Sequence, residues 1–194
     1  MDALEKAIWI ANMARLRNKR NAATGTRAPS TPEERRRQTF QRAAKLLSAK
    51  SRSIAELREL LTERSGATKA DVEEVLARLT EYGYLNDERF AVSYASAKVR
   101  QRPIGRQRLK RDLALKKVSK ETADEALDMV FAETPESELI DRAIEKRVRL
   151  RGRPGSRAEA KSLFDHLLRQ GFPFELVAEK VRAAAQTELV EDDV

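Results

Sequence analysis

Helix start and stop signals recur along the sequence, whereas no segment alternates apolar and polar residues for long enough to predict a β-strand. Thr68 and Ser156 are each followed three positions later by an acidic residue, the pattern of a capped helix N-terminus. Gly83 and Gly171 follow apolar runs of helical spacing and suit the left-handed position that ends a helix. The pattern predicts an all-α fold of nine helices after an N-terminal arm. Their predicted ranges are 33–49, 53–64, 69–82, 87–101, 105–116, 120–132, 136–150, 157–170 and 174–185.

The predicted helices form three groups of three, with a period of about 50 residues. Leu109 and Leu113, for example, correspond to Leu163 and Leu167 about 54 residues later. Because one three-helix unit has only a small core, we expect the tandem units to pack on one another in an elongated array, straight or curved. The predicted boundaries are 1–32 for a basic arm with a short helix and linker, 33–85, 86–133 and 134–188 for the three repeats, and 189–194 for an acidic tail.

The positive charge of the chain is concentrated in two places. The 39 Lys and Arg exceed the 31 Asp and Glu by a net +8. Residues 1–50 carry a net +8 and residues 98–120 a net +9, while the segments 51–97 and 121–194 are acidic. The block 98–120 holds ten cations against one acid, Asp112. Such a block repels itself unless it meets an anion, so the sequence predicts an anionic partner.

Composition excludes several classes of site. The chain has no Cys, one His and seven Gly, which excludes thiolate metal sites, His clusters and glycine-rich phosphate loops. We therefore predict no cofactor, no metal and no enzymatic activity. The apolar stretch near the N-terminus is interrupted at Asn12 and Arg15 and is too short to cross a bilayer. We expect a cytoplasmic protein with no membrane association.

Three strings are more specific than the helix pattern. The first runs from Gly83 to Ala91 (GYLNDERFA), the second from Gly105 to Val118, and the third, LLRQGF, ends at Phe172. Together they resemble the motifs of the RecX family of bacterial RecA regulators, over roughly residues 35–185. The motif positions are Gly83, Tyr84, Leu85, Asp87, Arg89, Phe90, Gly105, Leu109, Leu113, Gly171 and Phe172. Lys117 departs from the pattern, because the family usually has Gly there. We therefore expect that helix to end without a left-handed residue.

The resemblance implies a protein that binds the RecA nucleoprotein filament in its helical groove. It implies inhibition of RecA's ATP hydrolysis, strand exchange and activation of repressor cleavage, and hence a role in recombination, DNA repair and the SOS response. Contact with single-stranded or duplex DNA is expected to be weak and independent of sequence, because no series of aromatic residues is available for base stacking. We expect a monomer.

The candidate RecA- and DNA-contacting face is basic and comes from the second and third repeats. Its predicted members are Lys98, Arg100, Arg102, Arg106, Arg108, Lys110, Arg111, Lys116, Lys117, Arg147, Arg149, Arg151 and Arg153. A row at residues 35–37 could extend it. The alternative for each cation is a solvated helix face. His166 is interpreted as a packed or surface residue, and Asp124, Glu125 and Asp128 as a solvated acidic face.

A second functional hypothesis is a helical DNA-binding repressor or nucleoid-associated protein, since three-helix units can present a recognition helix. A sequence-specific footprint obtained without RecA would favour this hypothesis. Weak binding that depends only on ionic strength would favour the RecA regulator.

Overall fold

A computed structural model describes residues 31–64 and 66–186 of the chain. Within these residues every regular element is an α-helix, and the predicted all-α fold is confirmed. The helices are α1 (Pro32–Ala49), α2 (Ile54–Arg64), α3 (Lys69–Glu81), α4 (Asp87–Gln101), α5 (Arg106–Leu115), α6 (Lys120–Glu133), α7 (Glu136–Arg151), α8 (Arg157–Gln170) and α9 (Phe174–Gln186). Each observed end lies within one residue of its predicted position. The predicted N-terminal arm up to residue 30 and the predicted acidic tail at 189–194 lie outside the described residues.

Local hydrogen bonds fix the helix starts where the sequence predicts them. Thr68 Oγ1 accepts from the Asp71 N–H at 3.2 Å, and the Asp71 carboxylate accepts from the Thr68 N–H at 3.0 Å. Ser156 and Glu159 form the same reciprocal pair at α8. At α4 the cap is Asn86, whose Oδ1 accepts from the Arg89 N–H at 2.7 Å. These contacts satisfy N–H groups that have no partner inside the helix.

Four of the helices in residues 31–64 and 66–186 end next to a residue of positive φ, one of them α7 at Gly152, with φ of 79°. Gly83 and Gly171, with φ of 69° and 92°, occupy this position after α3 and α8 as predicted. The expectation for α5 is wrong: Lys117 takes the left-handed conformation itself, with φ of 59°. The Val118 N–H then donates to the Leu113 oxygen at 3.2 Å, which closes the helix end. The turn is thus retained with a residue that must bear the steric cost of a Cβ atom.

Replacing Lys117 tests this strain. We expect Lys117→Gly to be more stable than Lys117→Ala by about 1 kcal/mol, because only glycine adopts positive φ without a penalty. Both variants lose the contact between Lys117 Nζ and the Glu59 carboxylate, so the comparison isolates the backbone term. Urea unfolding followed by circular dichroism at 222 nm measures the difference. Equal stabilities would contradict a strained lysine.

Within residues 31–64 and 66–186, the buried apolar side chains form two separate clusters. We call α1–α3 unit one, α4–α6 unit two and α7–α9 unit three. Unit one has its own core, which contains Ala43, Leu57, Leu61, Val72, Val75, Leu76, Leu79 and Leu85. Units two and three share a second core, whose fully buried members include Leu109, Leu113, Leu127, Leu139, Ile140 and Leu167. Packing between neighbouring units therefore merges their cores only for units two and three.

The joint between units one and two carries polar contacts. Asp87 Oδ1 accepts from the Ile54 N–H at 2.8 Å, so a motif residue at the start of α4 caps α2 of the preceding unit. The buried Ser53 hydroxyl donates to the Lys116 carbonyl at 2.5 Å. Burial raises the pKa of the Asp87 carboxyl. Arg89 donates to the Gly83 carbonyl and ties α4 to the turn before it.

Units two and three meet backbone to backbone. The Gly105 N–H donates to the Gln170 carbonyl at 3.0 Å, and the Gln107 N–H donates to the Gly171 carbonyl at 3.1 Å. A Cβ on Gly105 would lie less than 3.0 Å from main-chain atoms of Gly171 and Phe172. Gly105 has an ordinary extended φ of −85°, which any residue can adopt. Glycine is therefore required here by the close approach of the two backbones and not by its own conformation.

Candidate binding surface

The predicted basic face divides into cations with an intramolecular carboxylate partner and cations without one. Arg106 Nη2 lies 2.8 Å from Asp128 Oδ1. Lys110 Nζ lies 2.5 and 2.8 Å from the two oxygens of Asp124. The hydrogen bond from Lys110 lowers the pKa of the Asp124 carboxyl. Asp124 and Asp128 were predicted to form a solvated acidic face. Instead, both carboxylates form ion pairs with cations of α5 and offset the charge on that side of the helix.

Lys116 and Lys117 are paired as well, and they point back to unit one. Lys116 Nζ lies 2.7 Å from Glu56 Oε1, with both side chains less than a quarter exposed. Lys117 pairs with Glu59 in the same helix, α2. These two lysines therefore strengthen the joint between units one and two. A cation whose charge is offset by a nearby carboxylate contributes little to the long-range attraction of a polyanion.

The predicted extension at residues 35–37 is used similarly inside unit one. Arg35 Nε donates to Asp71 Oδ2 at 3.0 Å, and Arg36 Nη1 to Glu74 Oε1 at 2.7 Å. Hydrogen bonds from Thr68 and Arg35 lower the pKa of the buried Asp71 carboxyl to about 2. Because folding lowers the pKa of Asp71, its ionised carboxylate stabilises the folded state fully above about pH 4. This contribution to the free energy of unfolding is lost as the pH falls towards 2. Two of the three arginines thus hold α1 to α3.

The other predicted cations form no ion pair within residues 31–64 and 66–186. They are Lys98, Arg100, Arg102, Arg108, Arg111, Arg147, Arg149, Arg151 and Arg153. We call these nine residues the unpaired set. Some are steadied by neutral groups: Lys98 Nζ lies 5.4 Å from the centre of the Tyr94 ring, and Arg147 Nη2 donates to Ser162 Oγ at 3.1 Å.

Part of the unpaired set follows one path across units two and three. Arg108 on α5 donates from Nη1 to the Arg169 carbonyl at 3.4 Å, which brings α5 beside the end of α8. The charges of Arg147, Arg169 and Arg151 all act on His166 of α8, and Arg147 donates to Ser162 of the same helix, so the C-terminal half of α7 lies beside α8. The path therefore runs from α5 over α8 to α7. The predicted face omitted Arg169, and the repeat gave no signal for it, because its counterpart 54 residues earlier is the apolar Leu115.

His166 reports the positive potential of this region. Its ring is partly buried and lies 3.5 Å, Nε2 to Nε2, from the Gln170 amide nitrogen. Burial lowers the pKa of the imidazole, and the charges of Arg147, Arg169 and Arg151 lower it further. The prediction of a packed or surface histidine agrees with this placement, and three arginines are close enough to act on the ring.

The described part of the chain shows neither a metal-binding cluster nor a membrane-length helix. No group of three or more His, Cys, Asp or Glu side chains there could hold a metal ion. No helix of residues 31–64 or 66–186 is long and apolar enough to cross a membrane.

Comparison with known proteins decides the family. The family model for the second three-helix domain of RecX matches residues 86–127, which correspond to unit two. The regulatory protein RecX of Chlorobium limicola is 34% identical over 146 residues, which cover 75% of this chain and 88% of that protein. The chain belongs to the RecX family. The resemblance to the RecX family is thereby confirmed.

Other RecX proteins are also similar to this chain, and some of them are much longer than it. The regulatory protein RecX of Bacillus licheniformis is 29% identical over 154 residues, 79% of this chain. This RecX-family chain spans only 57% of that relative and 54% of the one from Bacillus pumilus. The crystal structure of RecX from Lactobacillus salivarius superposes with a TM-score of 0.70 at 18% identity, over 80% of this chain and 99% of that one. This last likeness supports the helical-repeat fold.

Proposed function

We propose that the chain binds the RecA nucleoprotein filament in its helical groove and lowers RecA's ATP hydrolysis, strand exchange and activation of repressor cleavage. The observation that carries the proposal is the unpaired set of cations in a member of the RecX family, with a path that crosses from α5 over α8 to α7. The protein acts by occupying a site and not by catalysis.

Charge pairing inside the chain selects which cations take part. Arg106, Lys110, Lys116 and Lys117 each have a carboxylate within the chain, so recruiting them to the filament would mean breaking an existing contact. Members of the unpaired set break no ion pair of the described residues when they meet an anion, and a charged hydrogen bond made in this way contributes about 1.5–3 kcal/mol. We assign filament contact to the unpaired set and a structural role to the paired cations.

Occupying the groove accounts for inhibition. A protein that bridges neighbouring RecA subunits excludes duplex DNA from the groove and resists the subunit movements that accompany ATP turnover. Units two and three share one core, which fixes the spacing of the cations on their surfaces before binding. Little conformational entropy is therefore lost when the protein binds the filament.

The test is the DNA-dependent ATPase of RecA from the same organism, assembled on single-stranded DNA. Substoichiometric addition of this protein at low salt should slow ATP hydrolysis, with an effect that weakens as salt is raised. An unchanged rate at low salt would refute the proposal. A DNA footprint at a defined sequence without RecA would instead support the direct DNA-binding repressor or nucleoid-associated protein.

A further inference from the structure

The turn between α7 and α8 contains a cleft lined by three arginines. It has a volume of about 200 Å³, and its charged lining residues are Arg147, Arg151, Arg153 and Glu159. Arg147 and Arg151 lie one helical turn apart on α7, and Arg153 follows Gly152 in the turn. The buried Pro154 anchors the turn against the protein. The cations therefore converge on one concave site.

The single carboxylate that lines the cleft, Glu159, accepts hydrogen bonds from the main chain. Glu159 Oε2 accepts from the Gly155 N–H at 2.9 Å and from the Ser156 N–H at 3.2 Å, which holds it at the start of α8. Arg147 is oriented by its hydrogen bond to Ser162 Oγ, while Arg151 and Arg153 are exposed. The guanidinium groups thus remain available to an anion from outside.

We infer that this cleft binds a phosphodiester group of a nucleic-acid strand. All three cations are arginines, whose planar guanidinium groups donate paired hydrogen bonds to phosphate oxygens. The cleft also lies at one end of the path that continues through Arg169 to Arg108, a layout that suits a polyanionic strand better than one isolated carboxylate. The inference rests on the proposed function in that it assigns nucleic-acid contact to unit three.

His166 provides a direct readout, because it is the single histidine of the chain and is sensitive to the charges of Arg147, Arg169 and Arg151. A bound phosphate offsets those charges and favours the imidazolium form, so binding should raise the pKa of His166. The experiment is an NMR pH titration of the His166 ring in the full chain, with and without a saturating single-stranded thymidine oligonucleotide at low salt. RecA is absent, so failure of the RecA proposal would leave this result standing.

A matched pair of double variants locates the site. Arg151→Gln with Arg153→Gln removes two cleft cations, and Arg142→Gln with Lys146→Gln removes two exposed cations of α7 outside the cleft lining. In the cleft variant we expect the slope of log affinity against log salt to shrink by about 0.7 for each lost phosphate contact, and the rise in the His166 pKa to disappear. The control variant should retain the rise in the His166 pKa.

Two outcomes would overturn the inference. One is an unchanged His166 titration in the presence of oligonucleotide that anisotropy shows to be bound, since the strand would then lie elsewhere. The other is a rise of the His166 pKa with an oligoglutamate of equal charge but not with the oligonucleotide. The cleft would then be a site for protein carboxylates.

Discussion

Replacing Gly105 by alanine is expected to lower the free energy of unfolding by about 3 kcal/mol, the upper end of the usual cost of overpacking. The added Cβ would lie less than 3.0 Å from the carbonyl carbon and oxygen of Gly171 and from the nitrogen of Phe172. All three atoms belong to the main chain, so no rotamer change relieves the overlap. Units two and three must move apart, which breaks the hydrogen bonds that the Gly105 and Gln107 N–H groups donate across the joint.

Gly66 provides the matched control. A Cβ built on Gly66 meets nothing within 4 Å, so Gly66→Ala should change stability by no more than about 0.5 kcal/mol. Urea unfolding of both variants, followed by circular dichroism at 222 nm, gives the comparison. If Gly105→Ala is as stable as Gly66→Ala, the units do not meet by close backbone approach.

The second large effect concerns two pairs of cations on α5. Arg108 and Arg111 belong to the unpaired set, whereas Arg106 and Lys110 are held by Asp128 and Asp124. Changing Arg108 and Arg111 together to glutamine should raise the concentration needed to inhibit RecA's ATPase by at least about tenfold. One charged hydrogen bond contributes about 1.5–3 kcal/mol, and 1.4 kcal/mol corresponds to a factor of ten.

The Arg106→Gln, Lys110→Gln double variant is the control, because it removes the same charge from the same helix. It should lose stability, since Asp124 is left partly buried without its cation, yet the folded protein should inhibit RecA within about twofold of the unmodified chain. The ATPase assay and urea unfolding are run on both variants. Equal loss of inhibition in the two would show that ion pairing inside the chain does not select the contact residues.

The helices were predictable from the sequence because their signals are local. The cap at Thr68 and the glycine turns at Gly83 and Gly171 involve residues a few positions apart, and the observed helix ends follow them closely. Lys117 could not be predicted in the same way. Its left-handed conformation runs against the preference of a lysine and is held by the surrounding turn.

The partition of charge was not predictable, because it depends on which helices become neighbours. Lys110 and Asp124 lie 14 residues apart, and Lys116 and Glu56 lie 60 apart, so their pairing follows from the packing of α5 on α6 and of unit two on unit one. From the sequence, Lys110 and Arg108 are equivalent members of one basic block. The division of the apolar residues into two cores has the same origin, since similar leucine spacings recur in all three units.

Because the described residues form two separate cores, unit one can unfold independently of units two and three. A fluctuation that opens the core of unit one is expected to leave the shared core of units two and three in place, because the two cores are separate. The joint between units one and two carries polar contacts at Ser53, Ile54 and Asp87 and the ion pairs of Lys116 and Lys117 with α2. Units two and three share one core, so we expect them to unfold together. The cations on α5, α7 and α8 are thus carried by one cooperative folding block, and their spacing survives local unfolding of the first three helices.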